Sequence, residues 1–153
     1  MNAAVLTVST SLAGGAGDDL SGPALVALCE AAGLEVSHTV VSDDREAISA
    51  ELRRLADDEG VRFVFTTGGT GLTPDDVTPE ATRDVIDRDA PGFAESIRTD
   101  SREHTPLGIL TRGVSGLRGR TLIVNFPGNP KAIEQSWPVV EPTLKHAAAT
   151  LER

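Results

Sequence analysis

The chain has 153 residues, of which 39% are hydrophobic, 24% charged and 3% aromatic, and its net charge is −9 at pH 7. This length and composition predict a single soluble domain over residues 1–153 with an aliphatic core. The negative charge argues against nucleic acid as a partner, and no apolar run approaches the ~20 residues that a membrane span needs. Cys29 is the only cysteine and the N-terminus lacks a signal-peptide pattern, so we expect a cytoplasmic protein without disulfides.

The first part of the chain alternates apolar runs with stretches of helical spacing. The first helix is predicted to begin near Pro23 with Ser21 as its cap, and the second to follow a cap at Ser42 or Asp43. Three strands are predicted here, over residues 3–9, 34–41 and 61–66.

Helical spacing recurs in the second half of the chain. We predict a helix that begins at Pro79, another over residues 93–103, and a last one that begins at Pro130. Because proline cannot continue a helix without a kink, Pro138 and Pro142 are expected to bend or split the last helix. Two further strands are predicted, over residues 107–114 and 121–125, with a glycine-rich turn over residues 115–119.

Strands that alternate with helices predict an α/β fold, in which a mostly parallel sheet is covered on both faces. The last two strands are joined by a connection too short for a parallel crossover, so we expect at least one of them to run antiparallel or to lie at an edge. Ligands in such folds bind beyond the carboxyl ends of the strands. Four loops would gather there, over residues 9–22, 42–44, 68–78 and 126–129.

Residues 66–79, with the sequence TTGGTGLTPDDVTP, are the most informative run of the chain. Glycines at three of four positions allow a sharp turn and a close approach to a ligand, and the loop amides can point at an anion. The glycines are Gly68, Gly69 and Gly71, and the neighbouring hydroxyls belong to Thr67 and Thr70. The run is neither a Walker A loop nor a GxGxxG fingerprint, and a strand-to-helix turn that needs glycine for its backbone remains the alternative.

Two pairs of carboxylates follow strand ends. Asp75 and Asp76 come after the glycines, and Asp43 and Asp44 come after the second strand. If the strands are parallel, Asp43 and Asp76 lie on neighbouring loops and can share a magnesium ion. The alternative is that these side chains only cap helices or favour their N-termini.

Three other segments leave two interpretations open. Residues 126–132 (FPGNPKA) are either a simple turn or a loop that puts amides and Lys131 on a phosphate. Residues 9–22 form a long loop that either binds a polar ligand, with Ser9 at its start, or is only flexible. Residues 101–133 contain five basic residues and one acidic residue, either a solvated face or a pocket for an anionic substrate.

These runs together resemble the molybdopterin-binding domain of the MoaB/Mog family, the molybdopterin adenylyltransferases. The similarity covers nearly the whole chain. It is carried by LTVSxxxxxGxGDDxSGP (residues 6–23), TTGGTGLTPDDVTPEAT (66–82), PGF (91–93) and GLRGRTLIVNFPGNPKA (116–132).

The resemblance implies a three-layer α/β/α sandwich that assembles as a homotrimer or hexamer. It also implies transfer of AMP from ATP to the terminal phosphate of molybdopterin, with Mg²⁺ as cofactor and pyrophosphate as product. A molybdate-insertion enzyme would act downstream as a partner. Two other functions stay open: a non-catalytic molybdopterin carrier or scaffold, and a nucleotide pyrophosphatase like the competence-type relatives.

The resemblance also implies roles for individual residues. Asp43 and Asp76 would be catalytic and hold Mg²⁺. Nucleotide and phosphate contacts would come from Thr67, Gly68, Gly69, Thr70, Gly71, Pro127, Gly128 and Asn129. Molybdopterin contacts would come from Ser9, Gly14, Gly17, Ser115 and Lys131, and the pterin phosphate would be drawn in by Arg112, Arg118 or Lys131.

The chain departs from the family pattern after the first strand. Many members have Ser-Asp-Arg or Ser-Asp-Thr there, whereas this chain has Ser9-Thr10-Ser11. The missing aspartate puts the contacts at that end of the site in doubt and keeps the carrier function open.

Overall fold

A six-stranded sheet forms the centre of the computed structural model, which describes residues 1–153. The strands are β1 (Asn2–Val8), β2 (Glu35–Val41), β3 (Phe63–Thr67), β4 (Arg88–Asp89), β5 (Ser115–Arg118) and β6 (Thr121–Phe126). They lie in the order β2-β1-β3-β6-β5-β4. Strands β2, β1, β3 and β6 are mutually parallel, β5 is antiparallel to β6, and β4 is antiparallel to β5. The predicted mostly parallel sheet with an antiparallel strand is confirmed.

Helices connect the parallel strands, as crossovers between parallel strands require. They are α1 (Thr10–Ala13), α2 (Ser21–Ala31), α3 (Arg45–Arg53), α4 (Thr78–Arg83), α5 (Gly92–His104), α6 (Pro130–Val140) and α7 (Leu144–Leu151). A π-helical turn (Arg54–Asp58) extends α3, and a 3-10 turn (Glu141–Thr143) separates α6 from α7. Pro142 lies in that turn, so the predicted split of the last helix is confirmed. None of these helices has the length and apolarity needed to cross a membrane.

The core consists of two clusters, one on each face of the sheet. Successive strand residues point to opposite faces, so Val5 and Phe65 belong to one cluster and Leu6 and Val64 to the other. The first cluster also receives α2, α5, α6 and α7, and the second receives α3 and α4. The three-layer α/β/α sandwich is therefore confirmed. Trp137 packs edge-to-face on Phe65 in the first cluster, with 5.6 Å between ring centroids.

The prediction of a strand over residues 107–114 is wrong. The strand of this region is β5, which lies in the segment predicted to be a glycine-rich turn. The apolar residues instead enter a 3-10 turn (Pro106–Leu110), whose Leu107 and Ile109 are 68% and 63% exposed. Gly108 packs so closely on α5 that a Cβ there would lie 2.5 Å from the carbonyl carbon of Ser101. Packing against α5, rather than strand propensity, decides the conformation of this segment.

The cap predicted for the second helix is off by one residue. Asp44 is the N-cap of α3, and its side chain accepts a hydrogen bond of 2.8 Å from the Ala47 N–H. Asp43 is therefore not used for capping. Two short elements were not predicted from the sequence: α1, whose N-cap is Ser9, and the two-residue strand β4.

Candidate active site

The carboxyl ends of four parallel strands meet at one edge of the sheet, which we call the rim. The register places Val8 of β1 beside Val41 of β2, and Thr67 of β3 beside Thr7 of β1 and Phe126 of β6. The loops that follow these strands therefore leave the sheet side by side. The prediction that they gather at one rim is confirmed.

The glycine loop (residues 68–71) passes close to the backbone of its neighbours. Gly68 and Gly69 have φ values of 97° and 68°, in the left-handed region that favours glycine. A Cβ at Gly68 would overlap the carbonyl oxygen of Val8, and a Cβ at Gly128 would lie 3.1 Å from Gly68 Cα. Side chains at these two positions would force the rim loops apart.

The glycine loop and the loop that follows β6 have backbone N–H groups at the rim that make no hydrogen bond within the protein. The N–H groups concerned, which donate to no other protein group, belong to Gly68, Gly69, Thr70, Gly71, Gly128 and Asn129. The Thr67 hydroxyl is already used, since its Oγ1 donates to the Pro127 carbonyl (2.9 Å), whereas Thr70 Oγ1 accepts from Thr111 Oγ1 (3.3 Å) and keeps its own O–H as a donor. The Asn129 side chain is also used, because it caps α6. Backbone amides and the Thr70 hydroxyl are thus the donors left for an anion.

Asp43 borders the glycine loop. Its Oδ2 accepts hydrogen bonds from the backbone N–H (2.9 Å) and the hydroxyl (3.1 Å) of Thr10, while Oδ1 accepts none. A Cβ at Gly69 would lie 3.4 Å from Asp43 Oδ1. Thr10 is the residue that departs from the family pattern, and here it holds the Asp43 carboxylate in place. Sequence analysis missed this contact, which joins residues 33 positions apart.

Asp76 borders the same loop. Its Oδ2 accepts hydrogen bonds from the backbone N–H (3.0 Å) and the hydroxyl (2.8 Å) of Thr73, and its Oδ1 accepts none. A Cβ at Gly71 would lie 2.8 Å from Asp76 Oδ2. Asp75, by contrast, is exposed and makes no side-chain hydrogen bond or ion pair. Of this pair only Asp76 faces the glycine loop.

Asp43 and Asp76 each leave one carboxylate oxygen free, and carboxylate oxygens are ligands that Mg²⁺ takes. Mg²⁺ in nucleotide sites takes one or two carboxylates and keeps several waters. The chain has no group of three or more His, Cys, Asp or Glu residues that could hold a metal ion.

Arg112 donates hydrogen bonds to carbonyl oxygens of the glycine loop. Its guanidinium donates to the carbonyl oxygens of Gly71 (2.9 Å) and Asp76 (2.7 Å) and to Glu80 Oε1 (2.6 Å), and its backbone N–H donates to the Thr70 carbonyl (2.8 Å). The hydrogen bond from Arg112 lowers the pKa of Glu80, which favours its ionised form. These hydrogen bonds join residues that lie 32 to 41 positions apart in sequence, and no local pattern signals them.

The other basic residues proposed for the pterin phosphate differ in their surroundings. Arg118 is bound to Asp57 (2.7 Å) and to the Val85 carbonyl (2.9 Å), away from the rim. Lys131 lies at the start of α6 with an exposed side chain that makes no ion pair or hydrogen bond.

A cleft of about 310 Å³ opens on the β1 side of the glycine loop. It is lined by Ser9, Thr67, Gly68 and Gly128 among others, and by two acidic residues, Asp18 and Asp19, but by no lysine or arginine. Gly14 and Gly17 lie nearby in the loop after α1, but they do not line the cleft. The structure thus brings the first predicted loop together with the glycine loop and with the loop that follows β6.

Ser115 lies apart from this cleft. It is buried, its hydroxyl donates to the Ala90 carbonyl (2.6 Å), and it accepts from the Ala94 N–H (3.1 Å). It lines a second cavity of about 530 Å³ that shares no residue with the first cleft. The residues assigned to molybdopterin by resemblance are therefore divided between two sites, with Ser9 in one and Ser115 in the other.

Several known proteins are similar to this chain over most of its length. A family model described as "Probable molybdopterin binding domain" matches residues 4–146. The molybdopterin adenylyltransferase of Helicobacter pylori J99 is 37% identical over 145 residues, which cover 93% of this chain and 82% of that protein. The Drosophila melanogaster molybdenum cofactor synthesis protein cinnamon is 39% identical over 145 residues. The match spans 94% of this chain but only 24% of that longer protein.

A solved structure extends the similarity to the whole fold. The molybdopterin biosynthesis enzyme MoaB of Thermus thermophilus superposes with a TM-score of 0.91 at 42% identity. The superposition covers 98% of this chain and 95% of that one.

Proposed function

This chain belongs to the family of probable molybdopterin-binding domains, and we propose that it is a molybdopterin adenylyltransferase of molybdenum cofactor biosynthesis. Its substrates would be ATP and molybdopterin, and its products adenylyl-molybdopterin and pyrophosphate. One observation carries the proposal: unbonded backbone N–H groups lie at the rim beside two carboxylates, each with one free oxygen. The similarity to proteins named molybdopterin adenylyltransferase supports it.

The reaction needs no covalent intermediate on the protein. An oxygen of the terminal phosphate of molybdopterin attacks the α-phosphorus of ATP and forms the new P–O bond. The bond from the α-phosphorus to the oxygen that bridges to the β-phosphorus breaks, and its electron pair leaves with pyrophosphate. Because the attacking oxygen already carries negative charge, catalysis consists mainly of positioning and electrostatic stabilisation.

The rim residues supply that positioning. Backbone N–H groups of the glycine loop and of Gly128 bind phosphate oxygens, as amides in such concave turns do. Thr10 and Thr73 orient the carboxylates of Asp43 and Asp76 by holding one oxygen of each. Mg²⁺ held by the two free oxygens would offset the negative charge that builds up as pyrophosphate leaves.

Incubation of the purified chain with molybdopterin, ATP and Mg²⁺ tests the proposal. We expect pyrophosphate and adenylyl-molybdopterin to form in equal amounts, and only when molybdopterin is present. Binding of molybdopterin without turnover would instead indicate a carrier. Release of AMP or pyrophosphate without molybdopterin would indicate a nucleotide hydrolase.

The role of Asp76 is tested against its neighbour Asp75. Asp76→Asn should lower the rate about 100-fold or more, since it removes a charge next to the reacting phosphates. Asp75→Asn makes the same chemical change at an exposed position without contacts and should leave the rate unchanged. Melting temperatures of both variants should match that of the wild type. Equal rates for the two variants would remove Asp76 from the reaction.

A further inference from the structure

The carbonyl oxygens of the glycine loop (residues 68–71) all accept hydrogen bonds from two other segments of the chain. Thr78, the first residue of α4, donates from its hydroxyl to the Gly68 carbonyl (3.0 Å) and from its N–H to the Gly69 carbonyl (3.1 Å). Arg112 donates to the two carbonyls that follow, from its backbone N–H (2.8 Å) and from its Nε (2.9 Å). All four carbonyls of the loop are therefore turned toward α4 or toward Arg112.

These hydrogen bonds also fix the direction of the N–H groups of the loop. In a trans peptide unit the C=O and the N–H that follows it point in opposite directions, and the chain has no cis peptide bond. Because the four carbonyls face α4 or Arg112, the N–H groups of residues 69–72 face away from them. None of these four N–H groups donates to another protein group. The donors that the loop offers to an anion thus owe their direction to Thr78 and Arg112.

The Thr78 hydroxyl serves this hydrogen bond and not the capping of α4. A threonine at the start of a helix commonly accepts a hydrogen bond from an N–H of the first turn. No side chain caps α4, and the Ala81 N–H donates to the Val77 carbonyl (3.0 Å). A Cβ at Gly69 would overlap Thr78 Oγ1, so glycine at position 69 is what allows the hydroxyl to approach the loop. Thr78 is fully buried beneath the loop, with 0% of its surface exposed.

We propose that Thr78 is a positioning residue for the reaction, whose hydroxyl holds the Gly68–Gly69 peptide unit so that the Gly69 N–H faces the phosphate groups of the nucleotide. This inference rests on the proposed function for the identity of the ligand. Thr78 acts through the loop, because its hydroxyl is bound to the carbonyl side of that peptide unit. A change of its side chain releases only one of the four peptide units, since the other hydrogen bond of Thr78 comes from its backbone.

Steady-state kinetics of two variants at this position tests the role. Thr78→Val removes the hydroxyl and keeps the shape of the side chain. It should lower kcat/KM for ATP about tenfold, less than the ~100-fold that follows the complete loss of such a donor, because the Gly69 N–H is still present but is no longer held in direction. Thr78→Ser keeps the hydroxyl and should recover most of the wild-type value. A Thr78→Ser variant as slow as Thr78→Val, at the wild-type melting temperature, would overturn the proposal.

Thr121→Val is the matched control. Thr121 is buried like Thr78, and its hydroxyl also donates to one backbone carbonyl, that of Val61 (2.6 Å). It begins β6, at the end of the strand opposite to the rim. Both valine variants should lower the melting temperature by similar amounts, and only Thr78→Val should lose activity. Equal losses of activity in the two variants would show that the effect comes from stability, and the positioning role would fail.

Binding of inorganic pyrophosphate, measured by titration calorimetry, separates this inference from the proposed function. If the wild type transfers no AMP but binds pyrophosphate, and Thr78→Val weakens that binding about tenfold while Thr78→Ser and Thr121→Val keep it, the positioning role holds and only the proposed function fails. If the wild type transfers AMP and Thr78→Val does so at the same rate, the positioning role fails and the proposed function holds. A wild type that binds no pyrophosphate, or a Thr78→Val variant that binds it equally well, overturns the positioning role whatever the transfer assay gives.

Discussion

Replacing Gly71 with alanine should disturb the reaction more than the fold. The backbone at Gly71 is outside the left-handed region, so an alanine adopts it without strain. The new Cβ would lie 2.8 Å from Asp76 Oδ2. That carboxylate oxygen must move away by about 0.6 Å to reach ordinary van der Waals contact.

The expected losses of stability and of rate follow from the hydrogen bonds that the displaced oxygen accepts and from its distance to the reacting atoms. Asp76 Oδ2 accepts two hydrogen bonds from the exposed Thr73, and weakening them costs about 1 kcal/mol of stability. A misplacement of about 1 Å near the reacting atoms can lower a rate about 100-fold, so about 0.6 Å should cost about tenfold. The loss of activity should therefore exceed anything that the small loss of stability explains.

Pyrophosphate release under saturating substrates and thermal melting are measured on the same preparations. Gly92→Ala is the control, because a Cβ there meets no atom within 4 Å. It should keep both the wild-type rate and the wild-type melting temperature. A Gly71→Ala variant with the wild-type rate would refute the inference that the position of the Asp76 carboxylate matters, and so would a rate loss that tracks unfolding.

Two further predictions concern the core. Asn125 is buried, donates to the hydroxyls of Thr66 (3.0 Å) and Thr82 (3.1 Å), and accepts from the Val114 N–H (3.1 Å). Asn125→Leu should therefore lower the free energy of unfolding in urea by about 2–4 kcal/mol, and a loss below about 0.5 kcal/mol would contradict this account of the network. Burial raises the pKa of Cys29 to about 12. Its thiol should therefore react with a disulfide reagent at pH 8 far more slowly in the folded chain than in urea. Equal rates in both conditions would show that Cys29 is accessible in the native state.

Much of the fold and part of the candidate site follow from local patterns. Apolar runs between glycines and prolines locate β1, β3 and β6, because each is buried on both faces and reads as a nearly continuous apolar stretch. Parallel strands end at a common edge, so the loops that carry Asp43, Gly68, Asp76 and Gly128 could be expected to converge. These inferences hold because the interactions behind them lie within a few residues or follow from the handedness of the crossovers.

Other features depend on residues distant in sequence. Leu107 and Ile109 have the composition of a strand, yet they are exposed in a 3-10 turn, because Gly108 between them packs against α5. The choice of Asp44 rather than Asp43 as helix cap depends on where the backbone turns after β2, and the free Asp43 then meets Thr10 across 33 residues. Local propensity cannot decide such cases, because packing contributes more free energy than the local preference does.

The sequence by itself determined that a mostly parallel sheet alternates with helices and which segments reach the rim. Only the tertiary structure decided that Arg112 holds the glycine loop, that Ser115 serves a buried hydrogen-bond network, and that the Thr78 hydroxyl binds the glycine loop instead of capping α4. The physical reason is that the use of a charged or polar side chain depends on which groups the folded chain brings within hydrogen-bond distance. Those groups come from segments whose contacts form only when the whole core is packed.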